Sequence, residues 1–221
     1  MNAAALLHLL QFASPALPIG GYSYSQGLEA AIEQGFVTGA ASARAWIIAY
    51  LNDVMATWDA PLLWRLMQAF ASADMEAVAL WSERFIASRD THEFRAESIQ
   101  MGYSLVRLLA ELGVADVSVL SDEVALPTAF ACAVAALDIP PVDALLAWLF
   151  SWAENQVLVC VKSVPLGQVA GQRLLLSLGA DIERAALQAQ TLPDEALSNW
   201  APGLSMLSMQ HEVQHGRLYR S

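Results

Sequence analysis

The chain has 221 residues, enough to bury a substantial core as one domain and cramped for two. Its 22 acidic side chains outweigh 11 basic ones, a net charge of −11, which removes any electrostatic case for gripping a nucleic-acid backbone. Apolar residues make up 56% and charged ones 15%, against about 25% charged in an ordinary soluble domain, so a disordered solvating chain is excluded and apolar surface left over for a partner is expected.

Alanine and leucine dominate and β-branched alternation is almost absent, so helices are predicted throughout. The N-terminal stretch MNAAALLHLLQFASP is amphipathic and has no basic segment before its apolar part, unlike a secretory signal. Next comes LPIGGYSYSQGLE (Leu17 to Glu29), whose paired glycines suit a tight turn. Ser23 and Gln26 there have capping-box spacing for a helix that ends at Gly35. Amides at such a helix start could hold an anion, but no phosphate-loop GxxxxGK occurs, so a structural turn is the expectation.

A helix is predicted over 42–57, with Ile47, Tyr50, Leu51, Val54 and Met55 on one face, and a partner helix begins near Pro61 with Leu62, Leu63 and Leu66. Another over 75–88 packs through Val78, Trp81 and Phe85. From about Thr91 to Leu112, Met101, Leu105, Leu108 and Leu112 form a buried stripe, and Glu93, Glu97, Gln100, Ser104, Arg107 and Glu111 a wet one, ended by Gly113. Further helix starts fall at Pro127, at Pro140–Pro141, and at Pro193 with Asp194 and Glu195. The helix after Pro141 is apolar nearly all round, through Leu145, Leu146, Trp148, Leu149, Phe150 and Trp152, so it belongs in the core or in a subunit interface. Glu154, Asn155 and Gln156 interrupt it and Lys162 follows, which argues against a membrane span. Cys132 and Cys160 lie in apolar stretches and read as buried thiols of an intracellular protein. Without repeats or a long linker, the expectation is one all-α domain over residues 1–221, a bundle of about ten helices.

Two motifs invite chemistry. His211-Glu212-Val213-Gln214-His215 satisfies HExxH, in which two histidines one helical turn apart bind zinc and the glutamate activates water. No third ligand follows among Gly216 to Ser221, and the extended metzincin pattern fails at Leu218 and Ser221, so His211 and His215 are weak metal candidates and a zinc peptidase is the lesser alternative. Lys162, the only lysine, ends the most apolar helix, where the helix dipole alone would favour a cation.

Four segments in order, LPIGGYSYSQGLE, SRDTHEFRAES, CVKSVPLGQVAGQ and HEVQHGRLYRS, resemble the urease accessory protein UreF family over essentially the whole chain. The resemblance implies an all-α, dimer-forming protein of the cytoplasm, without catalytic residues or cofactor, that helps load nickel into apo-urease. It implies binding to the accessory protein UreD (also called UreH) and recruitment of the GTPase UreG. Tyr22, Lys162 and Arg217 match family positions on the face that meets the GTPase, and the tail, about 205–221 with Tyr219 and Arg220, would be bound and ordered by the UreD-type partner. Arg217 and Arg220 are candidates for stabilising charge during GTP hydrolysis. The chain departs from the family at His215, where tyrosine is usual. A helical interaction module unrelated to urease is the other alternative.

Overall fold

A computed structural model describes residues 1–221 as helices joined by short connections, with no β-strand. The α-helical segments are α1 (Ala3–Phe12), α2 (Leu28–Glu33), α3 (Ala40–Tyr50), α4 (Ala60–Ala71), α5 (Met75–Ala87) and α6 (His92–Glu111). They continue as α7 (Leu126–Ala136), α8 (Pro141–Ser163), α9 (Gln168–Ser177), α10 (Gly179–Thr191) and α11 (Pro202–Glu212). A π-helical stretch, Leu51–Asp59, joins α3 to α4 without a break, so the rods number ten. One continuous apolar core runs through α4, α7, α8 and α10.

The fused rod corrects the predicted break at Pro61. A proline inside a helix lacks the N–H that would reach the carbonyl four residues back, and its ring crowds that carbonyl. Here the preceding turns widen to π geometry, and the freed Thr57 carbonyl accepts from the Ser198 N–H at 3.1 Å. Pro193 likewise starts no helix: it precedes a single 3₁₀ turn, Asp194–Ala196, whose Asp194 pairs with Arg65 at 2.5 Å, and the last helix begins at Pro202. Pro127 and Pro141 do sit in first turns, of α7 and α8. Ser23 lies in a 3₁₀ turn rather than at a cap; α2 starts after Gly27, and the Ser25 hydroxyl accepts from the Glu29 N–H at 3.2 Å.

Helix α6 begins where expected, with the Thr91 hydroxyl accepting from the Phe94 N–H at 3.2 Å, and ends at Gly113 with φ +63°. Its faces are turned from the predicted phase. Phe94, Ser98, Met101, Leu105 and Leu109 face the core, Leu112 is exposed, and Glu93 and Glu97 are buried. The stripe read from the sequence was one edge of the true face.

Helix α8 is the one helix long and apolar enough to cross a membrane, yet half of its apolar window is buried inside the protein. Leu145, Leu149, Trp152, Val157 and Cys160 enter the core, which places it as a core helix. Its polar residues grip the chain between α1 and α2. Ser151 Oγ donates to the Ala13 carbonyl at 2.5 Å, Asn155 Nδ2 to Tyr24 at 2.8 Å and Gln156 Nε2 to Ser25 at 3.2 Å. Cys132 and Cys160 are free and buried, and burial pushes the Cys160 thiol up to about 12.

Candidate functional site: a carboxylate cradle under the C-terminal strap

Helices α2, α6 and α11 converge on a group of charges that are hidden from water. An acid in the first turn of a helix is favoured by the helix dipole, and Glu29 of α2 and Glu93 of α6 both stand there. Glu97, one turn beyond Glu93, points to the same side of α6. All three are buried, and so is His211 in the last turn of α11.

His211 ties the three helices together. Its Nδ1 lies 2.8 Å from Glu93 Oε2 and its Nε2 lies 3.0 Å from Glu29 Oε2. Two carboxylate oxygens on two ring nitrogens need two protons between them, supplied by an imidazolium or by a proton carried on a carboxyl. Burial raises the Glu93 carboxyl above its usual range, while His211 and Arg217 pull it back.

Residues 217–221 lie across this group as a strap. The Leu218 and Tyr219 N–H groups donate to the two Glu29 oxygens at 2.7 and 3.0 Å. Arg217 Nη1 donates to Glu93 Oε1 at 2.9 Å, and the Arg220 N–H to the Ser23 carbonyl at 2.8 Å. Ser221 Oγ donates to Glu97 Oε2 at 2.8 Å, and the Ser221 carbonyl accepts from both the N–H and the hydroxyl of Ser25. Each buried carboxylate thus has donors, without which burial of the charge would be costly.

Glu97 has a second neighbour set. Gln26, at φ +56°, donates from Nε2 to Glu97 Oε1 at 2.5 Å and accepts from Trp152 Nε1 at 2.8 Å. Burial pushes the Glu97 carboxyl up to about 7, against the pull of Gln26, Ser221 and the Arg89 charge. In the unfolded chain it titrates near 4.5. Between these values the folded chain keeps a proton that the unfolded chain has released, so this group's contribution to stability falls as pH rises through the window. Glu97→Gln removes that loss, and relative to wild type the variant gains about 3 kcal/mol in going from pH 4.5 to about pH 8. Urea midpoints at the two pH values measure it; a difference that does not change with pH would show that Glu97 is not the group that titrates.

The structure gathers most of the residues singled out in the sequence. Lys162, exposed in the last turn of α8, carries its Nζ 5.6 Å from the centre of the Tyr219 ring. Tyr219 is buried beneath it, and desolvation pushes its hydroxyl up to about 12. Arg217 and Arg220 line a cleft of about 460 Å³ with Tyr24, Glu93 and Glu97. Tyr22, more than half exposed, stands apart: it lines another cavity of about 150 Å³ that reaches Glu97 from the other side.

The zinc reading finds no support in this geometry. Helix α11 ends at Glu212 and the chain turns at Gly216, so His215 is exposed beyond the helix and shares no helical face with His211. Both His211 nitrogens already face glutamates. Glu29, Glu93, Glu97 and Gln26 were missed as site residues, although an acid pair four apart beside an apolar face in a charge-poor chain was a usable signal.

Comparison with known proteins follows the same lines. The family model described as UreF matches residues 37–179. Three relatives each described as urease accessory protein UreF match over nearly the whole length. That of Janthinobacterium sp. (strain Marseille) is 66% identical over all of both chains, and that of Nitrosospira multiformis is 58% identical over 98% of each. That of Azoarcus sp. (strain BH72) is 51% identical over 98% of this chain and 95% of its own.

Proposed function

The chain belongs to the urease accessory protein UreF family and so has a role in urease maturation; from that premise we propose that it is a non-enzymatic assembly factor for nickel insertion into apo-urease. It works by binding, as a dimer, to the UreD-type accessory protein and by recruiting the GTPase UreG. The observation that carries the reading is the match over the full chain, supported by Lys162 against the Tyr219 ring and by Arg217 and Arg220 at the rim of a cleft. Three of the chain's eleven cations thus lie on or against residues 217–221, and exposed cations on a protein of net charge −11 favour an acidic partner face there. Arg217 is engaged by Glu93, which leaves the exposed Arg220 beside Tyr24 as the arginine available to a bound GTPase.

Co-purification with the UreD-type protein tests the assembly role, and failure to form that complex removes it. Single-turnover GTP hydrolysis by UreG, with and without this protein, tests stimulation separately. Lys162→Ala is expected to change unfolding stability by no more than about 0.5–1 kcal/mol, the size of an exposed cation–π contact, while weakening recruitment about tenfold. Unaltered recruitment would return Lys162 to the role of a helix-end cation.

A further inference from the structure

A groove of about 680 Å³ opens between the end of α2, α3 with the π stretch that continues it, and the start of α11. Three of its apolar side chains stand out into solvent: Phe36 is 62%, Met206 57% and Trp200 81% exposed, the last more than any other aromatic residue of the chain. None of them is on a loose segment. Phe36 follows Gly35, whose φ of +78° closes α2, and its N–H bonds back to the Ala31 carbonyl at 2.9 Å. An apolar side chain at that position ordinarily packs against its own helix; here it is left outside. Trp200 is held from both sides. Before it, the Ser198 N–H binds the Thr57 carbonyl at 3.1 Å and Asn199 Nδ2 donates to the Ser88 carbonyl at 2.8 Å; after it, α11 begins at Pro202 and carries Met206. Trp46 of α3 adds another aromatic side chain to the lining.

No lysine, arginine or histidine lines the groove, and its one acid is Asp53 of the π stretch. Asp53 is exposed and takes part in no ion pair, and the same is true of Glu33, which adjoins the lining residue Gln34 in the chain. Aromatic faces attract a cation through their quadrupole, and a free carboxylate beside them adds a counter-charge. We infer that this groove receives a lysine or arginine side chain carried on an apolar segment of a partner protein. Such a side chain has an apolar stem to lie against Phe36, Trp46 and Trp200, and a charged head to meet Asp53. The walls are fixed before the segment arrives, so little order has to be imposed on binding. The chain's net charge of −11 disfavours a nucleic-acid backbone or an anionic membrane as the occupant, and walls this exposed do not enclose a small molecule. Nothing in this recognition requires that the segment belong to the partners proposed above, so it extends that reading without depending on it.

Nuclear magnetic resonance of the full, isotopically labelled chain tests this through the indole N–H signals of its seven tryptophans. The probe is the capped tripeptide acetyl-Leu-Arg-Leu-amide. The signals of Trp46 and Trp200 should shift and saturate with a Kd in the millimolar range, while the other five stay in place. The same tripeptide with citrulline, a neutral counterpart of arginine, should bind about fivefold more weakly. Trp200→Ala, read from the Trp46 signal, and Asp53→Asn, read from both, change exposed residues and should each weaken the arginine peptide about fivefold. Unmoved Trp46 and Trp200 signals overturn the site. So do shifts spread over all seven indoles, which would mean general attraction to an acidic chain. Equal affinity for the arginine and citrulline peptides overturns the basic side chain. Signals of Trp46 and Trp200 that move with protein concentration, with no peptide present, would put a second copy of the chain in the groove and overturn the partner segment.

Discussion

Gly102→Ala is expected to lose about 3 kcal/mol or more of unfolding stability, although alanine is the better helix former by about 1 kcal/mol. Gly102 lies on the face of α6 that meets the start of α7. A Cβ built there would stand 2.1 Å from the Val124 carbonyl oxygen, 2.7 Å from the Ala125 carbonyl carbon and 2.9 Å from the Leu126 nitrogen. All three are backbone atoms, so no side chain can rotate aside, and the helix would have to withdraw from α7 in a close-packed interior. Urea unfolding measures the loss. A variant as stable as wild type would mean that residues 124–126 yield freely, against the burial of Val124 and Ala125. The consequence reaches the site, because α6 also carries Glu93 and Glu97. Withdrawing it from α7 moves two of the three carboxylates that receive the strap.

The same helix shows how far the sequence could be read. Its ends were legible because they are local chemistry: the Thr91 hydroxyl caps one and a left-handed glycine closes the other. Its wet face was misread because burial of Glu93 and Glu97 is not local. What covers them is His211 and residues 217–221, more than a hundred positions away, and an acid on an amphipathic helix reads as solvated unless that cover is known. The break expected at Pro61 failed for a similar reason, since the distant Ser198 N–H takes up the carbonyl that proline orphans. Lys162 stood out as the only lysine, at the end of the most apolar helix, whereas Arg217, Tyr219 and Arg220 came from the family resemblance and not from periodicity, and these three lie on the strap that the buried acids hold. Glu29 ends the LPIGGYSYSQGLE segment, where nothing local marks it as buried.

Arg89→Ala is expected to cost about 3–5 kcal/mol, the scale for removing one partner of a buried ion pair. Arg89 follows α5 and reaches the last residue of the π stretch, its Nη2 2.6 Å from Asp59 Oδ1, with the two side chains only 10% and 11% exposed. Its guanidinium also lies 4.2 Å from the centre of the Phe85 ring. Burial alone would lower the arginine's pKa, but Asp59 more than offsets this and raises it, so the guanidinium stays charged beside its partner. Without Arg89, Asp59 would lose its counter-ion in a cavity wall that it shares with Glu97. The Arg89 charge also helps to hold the Glu97 carboxyl down, so its loss should push that carboxyl higher and widen the pH window over which stability falls. Unfolding of Arg89→Ala, Asp59→Leu and the double variant Asp59→Leu/Arg89→Met separates the costs. The double variant should recover most of the loss, because two apolar side chains replace two charges that each required the other. Losses that simply add would mean that Asp59 and Arg89 act independently, and the polar floor beneath the strap would then be a set of separate contacts rather than one coupled network.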